Sequence, residues 1–203
     1  MSVPEHDHSF ASRGGLKLDH AIESFALDVE GLVCADFGCS TGGFTDCLLR
    51  RGAARVHAID TGYGVLDYRL RMDERVRVME RTNALHAPPP DPPDDTVELI
   101  SVDMSWTPQR LCVPACLRWL AETERARILT LIKPHYEAKG VGLEERLSGG
   151  VLNEADAETV NGLVLDAMPG LGVRVLGCVR SPILGGKKKR TGNVEYVALL
   201  ARA

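Results

Sequence analysis

From Leu32 onward, short apolar runs that end on a glycine or an acid alternate with stretches whose apolar residues recur at helical spacing. Repeated several times, this alternation is the mark of a parallel sheet covered by helices. Strands are expected at 33–37, 55–59, 76–79, 97–102, 128–132, 173–179 and 194–200, and helices at 44–51, 66–72, 108–122 and 154–168. An earlier helix opens at Ser12-Arg13-Gly14-Gly15, with Leu16, Ala21, Ile22 and Phe25 near a 3.6 period. Thr107 is the expected N-cap of the 108–122 helix, with Pro108 in its first position; Asn153 caps the last helix and Pro169-Gly170 stops it. Five prolines between 87 and 95 make that stretch a loop. The last two strands are joined by a Gly- and Lys-rich stretch with no helical pattern, so they should be antiparallel. The expected fold class is therefore α/β: a seven-stranded, mostly parallel sheet with one antiparallel strand at its end and helices on both faces.

A chain of 203 residues with 44% apolar content suits one folded unit, read here as a flexible tail over 1–11 and a single domain over 12–203. No apolar stretch approaches the roughly eighteen residues of a membrane span, and the first residues lack a secretory pattern, so a cytoplasmic protein is expected. Six cysteines occur without a C-x-x-C pair and read as reduced, buried thiols; Cys112 and Cys116 share a helix face but have no further ligands at zinc spacing. His6 and His8 lie in a polar tail, and no metal is expected. A net charge of −4 argues against a protein that coats nucleic acid. Basic residues still gather at Arg50-Arg51, at Arg69 and Arg71, and at Lys187 to Arg190, while acids gather at Asp91 to Asp95 and at Glu144-Glu145, which leaves room for a local basic face.

The segment Asp36-Phe37-Gly38-Cys39-Ser40-Thr41-Gly42-Gly43-Phe44 links the first strand to the next helix. Glycines in such a turn let the backbone approach a ligand, and the free N–H groups of the helix start favour a carboxylate. The glycines at 38, 42 and 43 do not fit G-x-G-x-x-G, so the pyrophosphate spacing is absent. Asp60, at the end of the second strand, is placed to accept both hydroxyls of a ribose. Together these features point to an adenosine-containing ligand without a pyrophosphate. Asp60 could also cap the following loop, and Asn83 could be a plain turn residue.

Asp103 and Lys133 end the fourth and fifth strands, and Glu195 stands at the start of the last. If that strand is antiparallel, all three meet at one sheet edge, and Lys17 on the first helix could cover the same edge. Each alone has an ordinary structural explanation as a cap, a snorkelling chain or a polar surface residue.

The chain resembles the TlyA-type (haemolysin A-like) ribosomal RNA 2′-O-methyltransferases, related to the FtsJ-like RNA methyltransferases. The likeness runs through Ser12 to Leu18, Asp36 to Leu49, Arg51-Gly52-Ala53, Asp60 to Gly64, Glu80 to Asn83, Val102 to Ser105, Ile132-Lys133-Pro134 and Gly192 to Tyr196. It implies a Rossmann-like class I methyltransferase fold and S-adenosyl-L-methionine as cofactor. Gly38, Ser40, Gly42, Gly43 and Phe44 would wrap the methionine part, Asp60 the ribose and Asn83 the adenine edge, with Asp103 near the sulfonium. The family's Lys-Asp-Lys-Glu tetrad would be carried by Lys17, Asp103, Lys133 and Glu195. A ribose hydroxyl is a poor nucleophile near pH 7, so Lys133 is the candidate for the group that removes or stabilises its proton.

The resemblance also implies RNA as partner, with ribosomal RNA or a ribosomal subunit foremost. Such proteins usually carry an N-terminal S4 RNA-binding domain, whereas about eleven residues precede Ser12 here, so a separate RNA-binding partner is the expected replacement. Residues 142–150 stand where a basic Gly-Lys-Gly-Gly loop is usual. Other readings are a methyltransferase of another RNA or a small molecule, a cofactor-binding protein without turnover, and a haemolysin. Asp103-Met104-Ser105-Trp106 replaces the Asn-Pro-Pro-Tyr-like segment of amino methylases, and no exposed amphipathic segment supports membrane attack.

Overall fold

The computed structural model describes residues 10–90, 96–186 and 192–203. The expected tail up to residue 9, the Asp91 to Asp95 loop and the Lys187 to Arg190 run lie outside the described residues. Helix α1 (Gly14–Ser24) leads into β1 (Val33–Phe37), followed by α2 (Gly43–Arg50), β2 (Arg55–Ile59), α3 (Tyr68–Arg71), β3 (Val76–Met79) and β4 (Leu99–Val102). Then come α4 (Gln109–Trp119), β5 (Arg127–Ile132), α5 (Pro134–Glu137), α6 (Glu154–Ala167), β6 (Val173–Arg180) and β7 (Tyr196–Arg202).

The seven strands form one sheet in the order β3-β2-β1-β4-β5-β7-β6. Strands β1 to β5 pair in parallel, and β7 runs antiparallel to both β5 and β6. The single reversed strand is therefore inserted one place in from the edge instead of closing it, because β6 forms a hairpin with β7 from the outside. Successive strand residues serve opposite faces. Cys34, Leu99, Leu129 and Val197 join Leu18, Ile22, Phe44 and Leu48 of α1 and α2 in one apolar cluster. Ala35, Ile100, Ile128 and Ala198 join Cys112, Cys116, Val160 and Val164 of α4 and α6 in the other.

Several local expectations shift. β4 begins at Leu99, since Val97 makes only an isolated bridge to Leu120. The helix expected at 66–72 shortens to α3, because Asp67 adopts an extended conformation and its carboxylate caps the Arg69 N–H at 2.9 Å. Thr107 does not cap α4; Pro108 occupies the N-cap position with extended backbone, and Thr107 Oγ1 donates to Ser105 O. Asn153 does cap α6, accepting from Asp156 N–H at 2.8 Å. α6 ends at Ala167, just ahead of Pro169-Gly170 as expected, and a 3₁₀ turn over Met168–Leu171 then runs on to Gly172, whose φ of 85° suits glycine. The cysteines are free thiols, five of them buried and Cys178 half-buried.

Strand order reverses direction at β1, which has β2 on one side and β4 on the other. In open α/β sheets ligands bind at such a switch point, outside the carboxyl ends of the strands. Register aligns those ends: Phe37 lies beside both Ile59 and Val102, so Gly38, Asp60 and Asp103 leave the sheet side by side. On the other flank Ile132 pairs with Tyr196, which brings Lys133 next to Glu195.

Candidate active site

Gly38 has φ of 88°, and a Cβ there would meet Asp103 O at 2.7 Å, so only glycine fits this close crossing of β1 and β4. Its N–H and that of Cys39 donate to Ile59 O at 2.9 and 3.0 Å, folding the turn over β2. Gly43 opens α2 against the start of α1: a Cβ would lie 2.2 Å from Ser12 Oγ and 2.8 Å from Gly15 N. Gly42, with φ of 101°, caps α2, and Phe44 packs into the apolar cluster with 3% exposure. The turn thus holds Ser12 to Lys17 against Gly38 to Phe44.

Three adjoining cavities surround this turn, and all three are lined by Gly38, Ser40 and Asp103 or their immediate neighbours. The first, of about 380 Å³, lies between Ser12 to Gly14, Lys17 and the turn up to Phe44. The second, of about 390 Å³, runs over Asp60, Asn83 and Trp106. Asp60 Oδ2 accepts the Ser40 N–H at 2.9 Å and Oδ1 accepts the Gly62 N–H at 2.7 Å. Asn83 is exposed, and its Oδ1 accepts the Leu85 N–H at 3.0 Å.

The third cavity, of about 510 Å³, is lined by Lys17, Asp103, Lys133 and Glu195 together with His135 and Tyr136. The four charged residues form two ion pairs. Lys17 Nζ lies 2.5 Å from Glu195 Oε2, and Lys133 Nζ pairs with Asp103 Oδ1. Lys17, Lys133 and Glu195 are buried, with 9%, 9% and 3% exposure. Each lysine meets a carboxylate from a distant part of the chain, so neither ammonium is left without a counter-charge.

Other residues of the site carried no separate signal. Asp36, wholly buried beneath the turn, accepts from Thr45 Oγ1 at 2.7 Å and Ser101 Oγ at 3.1 Å, and burial pushes its carboxyl up to about 7. It lies inside the expected strand at 33–37, and its partners are 9 and 65 residues away. His135 follows Lys133 and Pro134 on α5, a four-residue helix too short to show a period; burial and then the charges of Lys133 and Lys17 push its imidazole down to about 4. The Tyr136 ring sits 4.1 Å from that of His135 and 5.9 Å from that of Trp106.

The residues present fit an adenosyl amino acid. Asp60 and Asn83 give the second cavity a carboxylate and an amide for a nucleoside, while the first is walled by backbone and small polar side chains at the start of α2. Among the described residues no group of three or more His, Cys, Asp or Glu side chains is arranged to hold a metal ion.

Comparison with known proteins points the same way. The family profile described as "FtsJ-like methyltransferase" matches residues 10–200. The chain is 39% identical to the "16S/23S rRNA (cytidine-2'-O)-methyltransferase TlyA" of Mycobacterium tuberculosis, over 96% of this chain and 69% of that protein. It is 35% identical to "Hemolysin A" of Brachyspira hyodysenteriae, over 93% of this chain and 75% of that one. A crystal structure from Lactococcus lactis, 36% identical, superposes with a TM-score of 0.83 over 94% of this chain and 88% of that chain.

Proposed function

Because this chain belongs to the FtsJ-like methyltransferase family, we propose that it transfers the methyl group of S-adenosyl-L-methionine to a ribose 2′-hydroxyl of ribosomal RNA. The observation that carries the reading is the meeting of three cavities at Gly38 and Asp103, with two lysine–carboxylate pairs lining the third.

In this reading Asp60 and Asn83 hold the adenosine part of the cofactor, and Gly38, Ser40, Gly43 and Phe44 border its methionine part, while Gly42 caps α2 and packs toward Leu66 and Leu70 without lining either cavity. When bound, S-adenosyl-L-methionine supplies an electrophilic methyl group. Asp103, shared by all three cavities, marks where that group meets the substrate. In its neutral form, its ammonium proton first lost to solvent, Lys133 accepts the proton that the ribose hydroxyl loses on methylation, Asp103 fixes the Lys133 side chain, and the Lys17–Glu195 pair lines the same cavity. Lys17, Glu195 and Lys133 are buried, while the Asp103 side chain is 26% exposed to the cavity.

RNA is the substrate class. With a net charge of −4 the chain has no general excess of basic groups to hold RNA, so a separate RNA-binding protein, acting in the cytoplasm, completes the proposal. Among the described residues no helix is long and apolar enough to cross a membrane.

The test is mass-spectrometric mapping of ribose methylation in ribosomal RNA from cells with and without this protein, paired with labelled methyl transfer to purified subunits. A ribose methyl that disappears with the gene and returns with the purified protein is expected. Cofactor binding without any methyl transfer would instead favour a binding protein without turnover.

A further inference from the structure

We infer that Glu137 is the positioning residue for the Asp103–Lys133 pair, an inference that rests on the role proposed above for that pair. The Glu137 side chain lines none of the three cavities and bonds neither side chain of the pair, although its N–H donates to Lys133 O at 3.3 Å. It acts through Gln109, the first residue of α4.

Two chain segments leave the pair. Residues 104–108 run from Asp103 to α4, and α5 runs from Lys133. Near the pair they are tied by Lys133 Nζ, which donates to Met104 O at 3.5 Å. At their far ends they are tied again: Glu137 Oε1 accepts the Gln109 N–H at 2.8 Å. Gln109 is itself fixed to β5, since its Nε2 donates to Leu131 O at 3.1 Å and its Oε1 accepts from Thr130 Oγ1 at 2.6 Å. Glu137 and Gln109 are 6% and 4% exposed, so water cannot replace these bonds. The loop that begins at Asp103 is thereby closed into a frame against the segment that begins at Lys133.

The loop has little preference of its own for this path. Trp106 within it has φ of 54°, a conformation rarely taken by side chains with a Cβ. The tethers therefore decide where Asp103 stands relative to Lys133. A carboxylate at the start of α4 also meets the positive end of the helix, which offsets part of its desolvation. Burial nevertheless holds the Glu137 carboxyl above the usual carboxylate range, and a neutral amide could accept the same bond. The hydrogen bond and its reach, not the charge, are what the frame needs.

The test compares E137Q, E137D and E137A in methyl transfer to ribosomal RNA by the full chain, alone and in a K133A background. Thermal unfolding of each gives the folded fraction. Because misplacement of a reacting group by about 1 Å can cost on the order of 10²-fold, E137A and E137D should lose about 10- to 100-fold in kcat while cofactor Kd stays within about twofold. E137D keeps the charge but is one methylene short of Gln109. E137Q should retain most of the rate, because its amide oxygen can accept from the Gln109 N–H. Added to K133A, E137A should cause little further loss.

E137Q as slow as E137A, cofactor affinity falling in step with rate, or losses that multiply on the K133A background would each overturn the inference. E137A with full activity beside an impaired K133A would overturn this inference alone. K133A with full activity would overturn the role of the pair itself. If E137A does not fold, the contrast between E137Q and E137D still decides.

Discussion

Lys17 and Glu195 stand 178 residues apart in the chain, yet the lysine Nζ lies 2.5 Å from Glu195 Oε2 on the wall of the third cavity. The pair joins α1 to the entry of β7, the one antiparallel strand of the sheet, and so clamps the helix that borders the Gly38 to Phe44 turn to the flank that carries Lys133.

Removing one member should cost more stability than removing both. With side-chain exposures of 11% and 4%, Lys17 and Glu195 are a buried pair, and deletion of one partner from such a pair typically costs about 3–5 kcal/mol because the other charge is stranded. Urea unfolding of Glu195→Leu should show a loss of that order, with much of it recovered in the double variant Lys17→Met/Glu195→Leu. Methyl transfer should stay low in both. Recovery of activity together with stability would show that the pair is only a structural clamp.

A second expectation concerns Asp60. Its two oxygens already accept the Ser40 and Gly62 N–H groups, but each carboxylate oxygen has a further lone pair free to face the second cavity. Hydrogen bonds to charged groups are worth about 1.5–3 kcal/mol, so Asp60→Ala should weaken cofactor binding by at least about 10-fold in calorimetry. Unchanged affinity in a folded variant would remove Asp60 from the site.

Much of this frame could be read from the sequence because it depends on short-range signals. β1, β2 and β3 fall on 33–37, 55–59 and 76–79 as expected, since each is mostly apolar and is followed by a glycine or an acid. The positions of Asp103 and Lys133 followed from the same rule, as each stands one residue beyond a strand. What escaped depends on partners distant in sequence. The carboxylate that meets the first N–H of α4 belongs to Glu137, 28 residues after Gln109, whereas Thr107 is the residue of capping type nearest in the chain. Which lysine meets which carboxylate follows from the register of β5 with β7 and the docking of α1, neither of which has a local signature. α5 has four residues, fewer than a period analysis can detect.

The buried Asp36 should leave a mark on stability as a function of pH. Its carboxyl, ordinarily near 3.8, titrates at about 7 in the folded protein because burial disfavours the charged form. Between these values the folded state holds a proton that the unfolded chain has released, so stability falls as pH rises, by about 1.4 kcal/mol per unit from this group. His57 and His135 act in the opposite sense: burial pushes both from 6.5 to about 4, so over that interval the unfolded chain binds the extra protons and stability rises with pH. The readout is therefore the difference between wild type and Asp36→Asn. Asparagine can keep both hydroxyl partners if one hydroxyl turns to accept. The variant should gain on the wild type steadily from about pH 4 to pH 7 and hold that advantage above. A flat difference would place the Asp36 titration outside this range.

The sharpest expectation is for Lys133. The residue is 9% exposed, its ammonium pairs with Asp103, and it lines the cavity assigned to the ribose, away from Asp60 and Asn83 in the second cavity. Lys133→Ala should therefore leave cofactor affinity nearly intact while lowering kcat. Groups that move or steady a proton in the transition state typically contribute about 10²- to 10⁴-fold, and the loss should fall in that range or beyond it. Lys133→Arg keeps the charge and the partner carboxylate but cannot give up a proton near neutral pH, so it should not restore the rate. Substantial rescue by arginine would reassign the residue to holding charge instead of handling the proton. Full activity of Lys133→Ala on a verified RNA would remove Lys133 from the mechanism while leaving the cofactor cavity as described, because no contact of Asp60 or Asn83 passes through it.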